Sequence, residues 1–297
     1  MSRTPAVVLA AVVLAASVGS TTSMVRAAEP LTRKVYVTVV DKQGQPVPGL
    51  TPADFTLKEG GREREITAAA PATEKMRVSL MVEETLTPQG GVRQGLSDFM
   101  QKMAPLAEME LIVVGQSNRV AVPYTSDLNA LIGGINALPL SQRQQTNHVP
   151  EGIYEAARKY ASVRTERPVI IMIALDSQQV SSEEPQNVLN QLRDSNAQLH
   201  VVSIEAAQQA SNPAQMLEMS GRAQVLGDGP KQSGGRQHPV NALTAVPKAM
   251  MSIANDLSSQ YVLTYVLPDG VKPSDRLSVE LEKSGFTLRA PTRIFRD

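Results

Sequence analysis

The sequence contains no cysteine and no tryptophan among its 297 residues, and aromatic side chains make up only 3% of it. The absence of cysteine excludes disulfides, thiolate zinc sites, cysteine nucleophiles and lipoprotein acylation. A chain of this length has room for a sizeable core, in one large domain or two modest ones. We therefore expect the fold to be stabilised by that core alone.

An excess of charge of either sign is also missing, because 29 basic residues balance 29 acidic ones. Balanced charge gives no reason to expect a nucleic-acid or anionic-membrane partner. We predict a protein partner instead. The sequence specifies neither the identity of that partner nor the oligomeric state.

Sequence signatures of catalysis are absent as well. The chain has no G-x-S-x-G, H-E-x-x-H or G-x-G-x-x-G motif. Its histidines, His148, His200 and His238, have no zinc-ligand partner at a useful spacing. Gly227–Ser233 has a faint likeness to a phosphate-binding loop but lacks its spacing, so we interpret Gly227–Pro239 as a flexible polar loop. These observations predict a protein that is not an enzyme.

The N-terminus has the three-part pattern of a secretory signal peptide. Arg3 gives a positive start, Ala6–Val18 is a run of small apolar residues, and cleavage is expected after Ala27 or Ala28. The apolar run is shorter than the roughly 20 residues that an uncleaved membrane anchor would need. We predict that residues 1–28 are removed, and that the mature protein has no membrane span and is periplasmic or secreted.

Strand-forming segments lie at both ends of the mature chain. Residues 29–74 are expected to form a small β module, and residues 260–297 are expected to pack with it, because no helix is available to cover either segment. The predicted strands are Lys34–Asp41, Phe55–Glu59, Arg64–Ala68, Tyr261–Leu267, Leu277–Glu282 and Phe286–Ala290.

Between these ends, residues 75–259 alternate strands with amphipathic helices, which is typical of a mostly parallel sheet covered on both faces. The first predicted strand is the apolar run that begins at Met76 and ends before Glu83. The others are Met109–Gly115, Arg119–Tyr124, Pro168–Asp176 and Gln198–Ile204. Arg119–Tyr124 is expected to pair as a hairpin with the strand before it, because the connection is too short for a crossover helix.

Oxygen-bearing side chains follow two of these strands. Glu83, Thr85 and Thr87 come at the end of the first strand, Thr146 lies in a later loop, and Asp176 ends the central strand. Ligands of open α/β sheets gather beyond the carboxyl ends of the strands. Alternate residues of an extended chain also point the same way. Oxygen ligands in octahedral array suit magnesium-type cations, so these side chains are a candidate metal site.

This arrangement resembles the von Willebrand factor A domain with its metal-ion-dependent adhesion site, in which a D-x-S-x-S loop, a Thr loop and a strand-ending Asp hold the ion. The sequence VTVVDKQGQPVPGLTPADFTLKEGG at Val37–Gly61 resembles the "VWFA-related" domain family common in Acidobacteria. QYVLTYVLPDG at Gln260–Gly270 and FTLRAPTRIF at Phe286–Phe295 resemble that family's C-terminal end. The resemblance implies a von Willebrand A-like α/β domain inserted in the β module.

The resemblance also implies a bound Mg²⁺ or Mn²⁺ and a protein partner that completes its coordination. The residues next to the candidate ligands would then contact the partner. These residues are Glu84, Asn147, His148 and Ser177.

The candidate site departs from the family pattern. Glu83 replaces the leading Asp, Thr85 and Thr87 replace the two Ser residues, and Ser177 replaces a Gly. The extra methylene of Glu83 moves its carboxylate by about 1.5 Å, whereas magnesium tolerates little error around its bond lengths of about 2.0–2.1 Å. The sequence therefore leaves open weaker metal binding, a larger ion, or no metal at all.

We weigh three functions on this basis. The first is an adhesion-type interaction protein that uses the sheet edge. The second is a metal-free scaffold that binds through the β module or the Gly227–Pro239 segment. The third is a cell-envelope hydrolase built on Glu83, Glu84 and Asp176.

Overall fold

The computed structural model describes residues 31–139, 148–176, 181, 183–205 and 213–295, apart from the side chains of residues 176 and 213–220. The predicted signal peptide and the candidate site residues Thr146, Asn147 and Ser177 lie outside the described residues. In the described ranges, no helix is both long enough and apolar enough to cross a membrane.

Thirteen strands and six α-helices make up the described chain. The strands are β1 Leu31–Val40, β2 Phe55–Glu59, β3 Arg62–Arg64, β4 Ile66–Pro71, β5 Met76–Glu83, β6 Ala107–Val114, β7 Arg119–Thr125, β8 Pro168–Asp176, β9 Gln198–Glu205, β10 Gln237–Val240, β11 Gln260–Leu267, β12 Leu277–Leu281 and β13 Thr287–Arg289. The helices are α1 Gly90–Met103, α2 Leu128–Asn136, α3 Val149–Val163, α4 Pro185–Ser195, α5 Pro213–Ser233 and α6 Val246–Ser258.

The central sheet has six strands in the order β10-β9-β8-β5-β6-β7. All neighbours are parallel except β7, which runs antiparallel to β6 as the short connection between them predicts. β5 and β8 lie at the centre of the sheet and are buried along most of their length. Their near-continuous apolar sequences are typical of strands covered on both faces.

The helices cover the sheet in two layers. α1, α2 and α6 pack on one face, and α3, α4 and α5 pack on the other, so that each face has its own buried apolar cluster. The amphipathic patterns of α1, α3, α4 and α6 place their apolar residues in these clusters.

The two ends of the chain build the β module. β1 pairs with β11 and β13, β4 pairs with β11, and β12 pairs with β2, which also pairs with β3. A third buried cluster lies between the two small sheets. The fold-class prediction, an α/β domain inserted in a β module formed by the chain ends, is confirmed. The residue limits of the domains stay a prediction.

The segment Gly227–Pro239 is not a loop, and its interpretation as one is wrong. α5 continues through Pro230 to Ser233, and β10 then adds a sixth strand to the sheet. A Cβ atom at Gly229 would lie 2.8 Å from a methyl carbon of Leu199. The glycines therefore allow a helix to approach the sheet closely, whereas the sequence pattern suggested flexibility.

The predicted strand Arg64–Ala68 is also wrong in part. β3 ends at Arg64, and β4 begins at Ile66, so the chain leaves one small sheet and enters the other. β3 pairs with β2, whereas β4 pairs with β11. The change of sheet depends on pairing with the C-terminal strands β11 and β12, which the local sequence around Arg64 does not indicate.

Candidate functional site

The chain leaves the extended conformation at Glu83, the last residue of β5. Glu84–Leu86 form a single turn of 3₁₀ helix, and Thr87 follows it. The expectation that Glu83, Thr85 and Thr87 share one face by strand alternation is therefore wrong beyond Glu83. A 3₁₀ turn has three residues per turn, so side chains two apart point in different directions.

Glu83 is completely buried and paired with an arginine from α5. The Nη2 atom of Arg222 donates to Oε1 of Glu83 over 2.6 Å, and Arg222 is only 3% exposed. The backbone N–H of Leu175 donates to the other carboxylate oxygen, Oε2, over 3.0 Å. Each oxygen of the carboxylate thus has a donor.

Arg222 also ties Glu83 to the neighbouring strand. The same Nη2 atom donates to the carbonyl oxygen of Leu175 near the end of β8. Leu175 therefore donates to Glu83 and accepts from Arg222. The three groups join β5, β8 and α5 at the carboxyl end of the sheet.

Glu83 does not fit the role of a metal ligand in this arrangement. A divalent ion on Oε1 would lie next to the positively charged Nη2 atom of Arg222, which would repel it. Moving the guanidinium away would break a buried ion pair, which costs several kcal/mol. The site therefore already contains a cation, and that cation belongs to the protein.

The hydroxyl of Thr87 is used inside the fold. Thr87 is buried, and its Oγ1 lies 2.8 Å from the carbonyl oxygen of Glu84 and 2.9 Å from that of Pro139. Arg93 of α1 donates to the carbonyl oxygen of Thr87 over 2.8 Å and also to the carbonyls of Ile135 and Leu138. These bonds fasten the turn to the end of α2. Thr85 lies in the turn and is half-buried.

The backbone of Asp176 ends β8 at the same edge of the sheet. Val82 of β5 pairs with Ile173 of β8, so Glu83 and Asp176 both lie beyond that pair in the chain direction. The structure describes the backbone of Asp176 but not its side chain, and Thr146 is outside the described residues. Of the five candidate ligands, Glu83 and Thr87 are fixed by internal contacts.

Two of the predicted partner-contact residues converge on Gly115, which follows β6. The backbone N–H of His148 donates to the carbonyl oxygen of Gly115 over 3.2 Å. A Cβ atom at Gly115 would lie 2.7 Å from Oε2 of Glu84, so glycine is needed for the carboxylate to lie there. The Nδ1 atom of His148 lies 3.5 Å from Glu151 in the first turn of α3.

Arg222 is the residue that sequence reasoning missed. It is 139 positions from Glu83 in the chain and lies just before the segment Gly227–Pro239, which was interpreted as a loop. The sequence contains one signal that Arg222 is buried. Its spacing from Val225, Leu226 and Gly229 is that of one buried helix face. A lone charged residue on such a face requires a buried partner of opposite charge.

A second buried polar cluster lies within the sheet. The Oγ of Ser79 donates to Glu110 over 2.7 Å, and Lys159 reaches the other oxygen of Glu110 at 2.8 Å. The hydroxyls of Tyr124 and Tyr160 each lie 2.9 Å from the same Ser79 oxygen. Ser79 has no exposed surface, so a substrate cannot reach it, and the cluster is structural.

Burial also sets the protonation of two histidines. Burial lowers the pKa of His238 to about 3, and it lowers the pKa of His200 well below its ordinary value. The cations Arg236 and Arg289 lower both pKa values further. Across the described residues, no group of three or more His, Asp or Glu side chains has a metal-binding arrangement.

Comparison with known proteins yields structural similarity only. No family model and no curated protein matches the sequence. An aerotolerance-related membrane protein from Bacteroides fragilis matches with a TM-score of 0.44 and 15% identity, over 61% of this chain and 98% of that one. A von Willebrand factor type A structure from Catenulispora acidiphila matches with a TM-score of 0.44 and 12% identity, over 86% and 75% of the two chains.

A third match is proximal thread matrix protein 1 from the mussel byssus, in a form with a zinc-occupied MIDAS motif. Its TM-score is 0.45 at 10% identity, over 63% of this chain and 49% of that one. Membership of the VWFA-related family stays a prediction from the sequence motifs.

Proposed function

We propose that this chain is an exported, non-enzymatic protein-interaction protein that binds its partner at the carboxyl edge of the central sheet without a bound metal. The observation that supports the metal-free form is the buried ion pair between Arg222 and Glu83. This pair neutralises the carboxylate from which a metal-dependent site would be built. The signal-peptide pattern at residues 1–28 supports export.

The ion pair fixes the edge as a rigid platform. Arg222 joins the ends of β5 and β8 to α5, and Thr87 with Arg93 fastens the adjoining turn to α2. A surface held in place before binding loses little conformational entropy when a partner docks. The internal contacts of Glu83 and Thr87 therefore keep the described part of this edge in its position.

The described residues at this edge include three carboxylates, those of Glu84, Glu151 and Glu155. Glu84 and His148 meet at Gly115, and Glu151 and Glu155 follow on the first turns of α3. A metal-dependent site would take an acidic side chain of the partner. The metal-free edge should instead favour a partner group that donates hydrogen bonds or carries positive charge.

The other functions considered fit the structure less well. The Gly227–Pro239 segment is helix and strand, so it does not offer the flexible loop that the scaffold alternative assumed. The hydrolase alternative needs Glu83 as an acid or base, but both oxygens of Glu83 are engaged within the protein. The predicted Mg²⁺ or Mn²⁺ site also needs Glu83, as a ligand, and the same internal contacts engage both of its oxygens.

Affinity capture from the periplasmic extract of the source organism tests the proposal, with the full chain immobilised and captured proteins quantified by mass spectrometry. Three proteins are needed: wild type, measured with and without EDTA, Glu84→Lys, and Glu108→Lys. Glu108 is an exposed carboxylate near the start of β6, at the opposite edge of the same sheet. It is therefore a matched charge-reversal control.

The proposal predicts a captured protein whose amount is unchanged by EDTA and by Glu108→Lys. Glu84→Lys should reduce capture at least about tenfold, which corresponds to the loss of roughly 1.4 kcal/mol of binding energy. Capture that disappears in EDTA would contradict the metal-free form. Capture that is equal for all three proteins would contradict binding at this edge.

A further inference from the structure

Edge strands from three sheets line one open groove beside the C-terminal end of α5. β10 is the outermost strand of the central sheet, and β12 and β13 are outermost strands of the two small sheets. The groove between them encloses about 610 Å³. It lies at the amino edge of the central sheet, opposite Glu84, because Gln237 of β10 pairs with Val201 near the start of the parallel strand β9.

The charged side chains that line this groove are all positive. They are Lys231, Arg236 and Arg289, and no described aspartate or glutamate joins them. Arg289 is paired with Asp256, and Lys231 lies 3.9 Å from Asp228. Arg236 is exposed and forms no ion pair with any described residue. The chain as a whole is neutral, so the groove is a local concentration of positive charge that attracts an acidic ligand.

β12 presents unpaired backbone groups to the groove. The N–H of Leu277 donates to the carbonyl oxygen of Thr292 and therefore points away from β2, the neighbour of β12. Residues of an antiparallel pair alternate between hydrogen-bonded and non-hydrogen-bonded positions, so Val279, two residues on, has the same orientation. Beyond Leu277, no described segment pairs with this edge. The N–H and carbonyl groups of Val279 are thus available to an extended chain.

We propose that this groove is a second docking site, which binds an extended acidic segment of a protein partner as an added strand. The carboxylates of the segment would lie near Arg236 and Lys231, and its backbone would pair with a free strand edge. Gly227–Gln237 forms one rigid wall of the groove, as helix and strand. The inference does not depend on partner binding at the carboxyl edge near Glu84.

The lining of the groove favours a peptide over a nucleic acid. Sites for single-stranded nucleic acid stack the bases on aromatic side chains, and the described lining contains none. An added strand needs a free edge and apolar surface for alternate side chains. Leu277, Val279 and Leu288 supply that surface. A segment in which acidic and apolar residues alternate therefore matches the groove.

The test is fluorescence anisotropy with the full chain and a labelled decapeptide of alternating glutamate and valine, which is longer than β10 and β12. The proteins are wild type, Arg236→Glu and Arg119→Glu. Arg119 is the matched control, because it is an exposed arginine without an ion pair among the described residues. It begins β7, the strand at the other end of the central sheet.

Three further probes separate charge from strand pairing. The first is a peptide of alternating lysine and valine. The second is the acidic peptide with its central amides methylated, which keeps the carboxylates but removes the N–H donors that strand pairing needs. The third is an oligothymidylate of the same length.

We expect saturable binding of the acidic peptide, with equal affinity for wild type and Arg119→Glu. Arg236→Glu should bind it at least about tenfold more weakly, and methylation of the central amides should weaken binding by wild type to a similar degree. The lysine peptide should not bind, and the oligothymidylate should bind more weakly than the acidic peptide. Added salt should lower the affinity for the acidic peptide, because it screens the exposed charges.

Several results would overturn the inference. Absence of saturable binding by wild type, or equal affinity for wild type and Arg236→Glu, would show that the acidic peptide does not use this groove. An equal loss in Arg236→Glu and Arg119→Glu would indicate a general charge effect. Equal affinity for the methylated peptide would exclude an added strand, and equal affinity for the lysine peptide would exclude selection by charge. An oligothymidylate that binds more tightly than the acidic peptide would assign the groove to nucleic acid.

Discussion

The Nη2 atom of Arg222 lies 2.6 Å from the Oε1 atom of Glu83, and both side chains are buried. The pair connects the end of the first strand of the central sheet to a helix 139 positions later in the chain. It therefore links the stability of the fold to the chemistry of the candidate site.

Removing one member of this pair should be far more costly than removing both. We expect Arg222→Met to lower the free energy of unfolding by about 3–5 kcal/mol, because it leaves a buried carboxylate without its cation. Adding Glu83→Gln should recover most of that loss, since the carboxylate that lost its cation is then also removed. Urea denaturation of the two single variants and the double variant measures both effects.

An exposed ion pair provides the control. Lys283 lies 2.8 Å from Asp54, but Lys283 is 47% exposed. Lys283→Gln should cost no more than about 1 kcal/mol, because solvent screens such pairs. A loss for Arg222→Met no larger than that for Lys283→Gln would show that the buried pair is not formed in solution.

Stability should fall as the pH is lowered from 7 to 5, because burial keeps His200 and His238 neutral in the folded state. Their pKa values in the unfolded chain are near 6.5, so the unfolded state binds protons first in this range. The expected loss from His238 is about 2 kcal/mol, and His200 contributes in the same direction. Burial raises the pKa of the nearby Asp256, which counteracts part of this loss at still lower pH.

Urea denaturation at pH 7 and pH 5 checks this prediction. His238→Gln should weaken the pH dependence, because one of the protons taken up on unfolding is then missing. An identical pH dependence in wild type and His238→Gln would rule out His238 as a cause of it.

Two glycines should respond to alanine in opposite ways. A Cβ atom at Gly235, between α5 and β10, would lie 1.9 Å from the carbonyl oxygen of Leu199, so Gly235→Ala must displace backbone. A Cβ atom at Gly133 inside α2 would meet nothing within 4 Å. We expect Gly235→Ala to destabilise by 2 kcal/mol or more, as roughly expected for overpacking, and Gly133→Ala to stabilise by about 0.5–1 kcal/mol.

Thermal or urea unfolding of both glycine variants gives these values directly. Equal effects of the two substitutions would contradict the close approach of Gly235 to β9. The comparison also tests the end of α5, which the sequence pattern did not predict.

The buried hydroxyl of Tyr160 should contribute measurably to stability. Its oxygen lies 3.0 Å from the carbonyl oxygen of Arg77 and from that of Val169, between which its single hydrogen is shared, and 2.9 Å from Oγ of Ser79. Tyr160→Phe removes these buried contacts and should cost about 1–3 kcal/mol. Tyr154→Phe on the same helix is the control, because Tyr154 is only partly buried, and it should change the unfolding free energy little. Urea denaturation of Tyr160→Phe and Tyr154→Phe measures the two free energies of unfolding.

Sequence periodicity was sufficient to predict five of the six strands of the central sheet, because the signals that define them are local. The apolar run of β8 and the amphipathic pattern of α3 each lie within one element. The hairpin of β6 and β7 followed from the length of its connection. The return of the last strands to β1 could be inferred because no helix was available to cover them.

The candidate site was harder to predict because its decisive contacts are not local. Glu83 was identified at the correct edge of the sheet, but its partner Arg222 lies on a helix whose glycines and Pro230 resemble those of a loop. The alternation expected for Thr85 and Thr87 failed because a 3₁₀ turn begins directly after Glu83. Glu at position 83 suits this contact, because its side chain is one methylene longer than that of Asp and reaches the guanidinium of Arg222.

The most direct test of the central claim is a crystal structure of the wild-type protein grown with manganese, with anomalous diffraction data collected to locate the ion. We expect no manganese at Glu83, and electron density for the Arg222 guanidinium between Glu83 and the Leu175 carbonyl. A manganese ion bonded to the Glu83 carboxylate at about 2.1 Å, with Arg222 displaced, would contradict it.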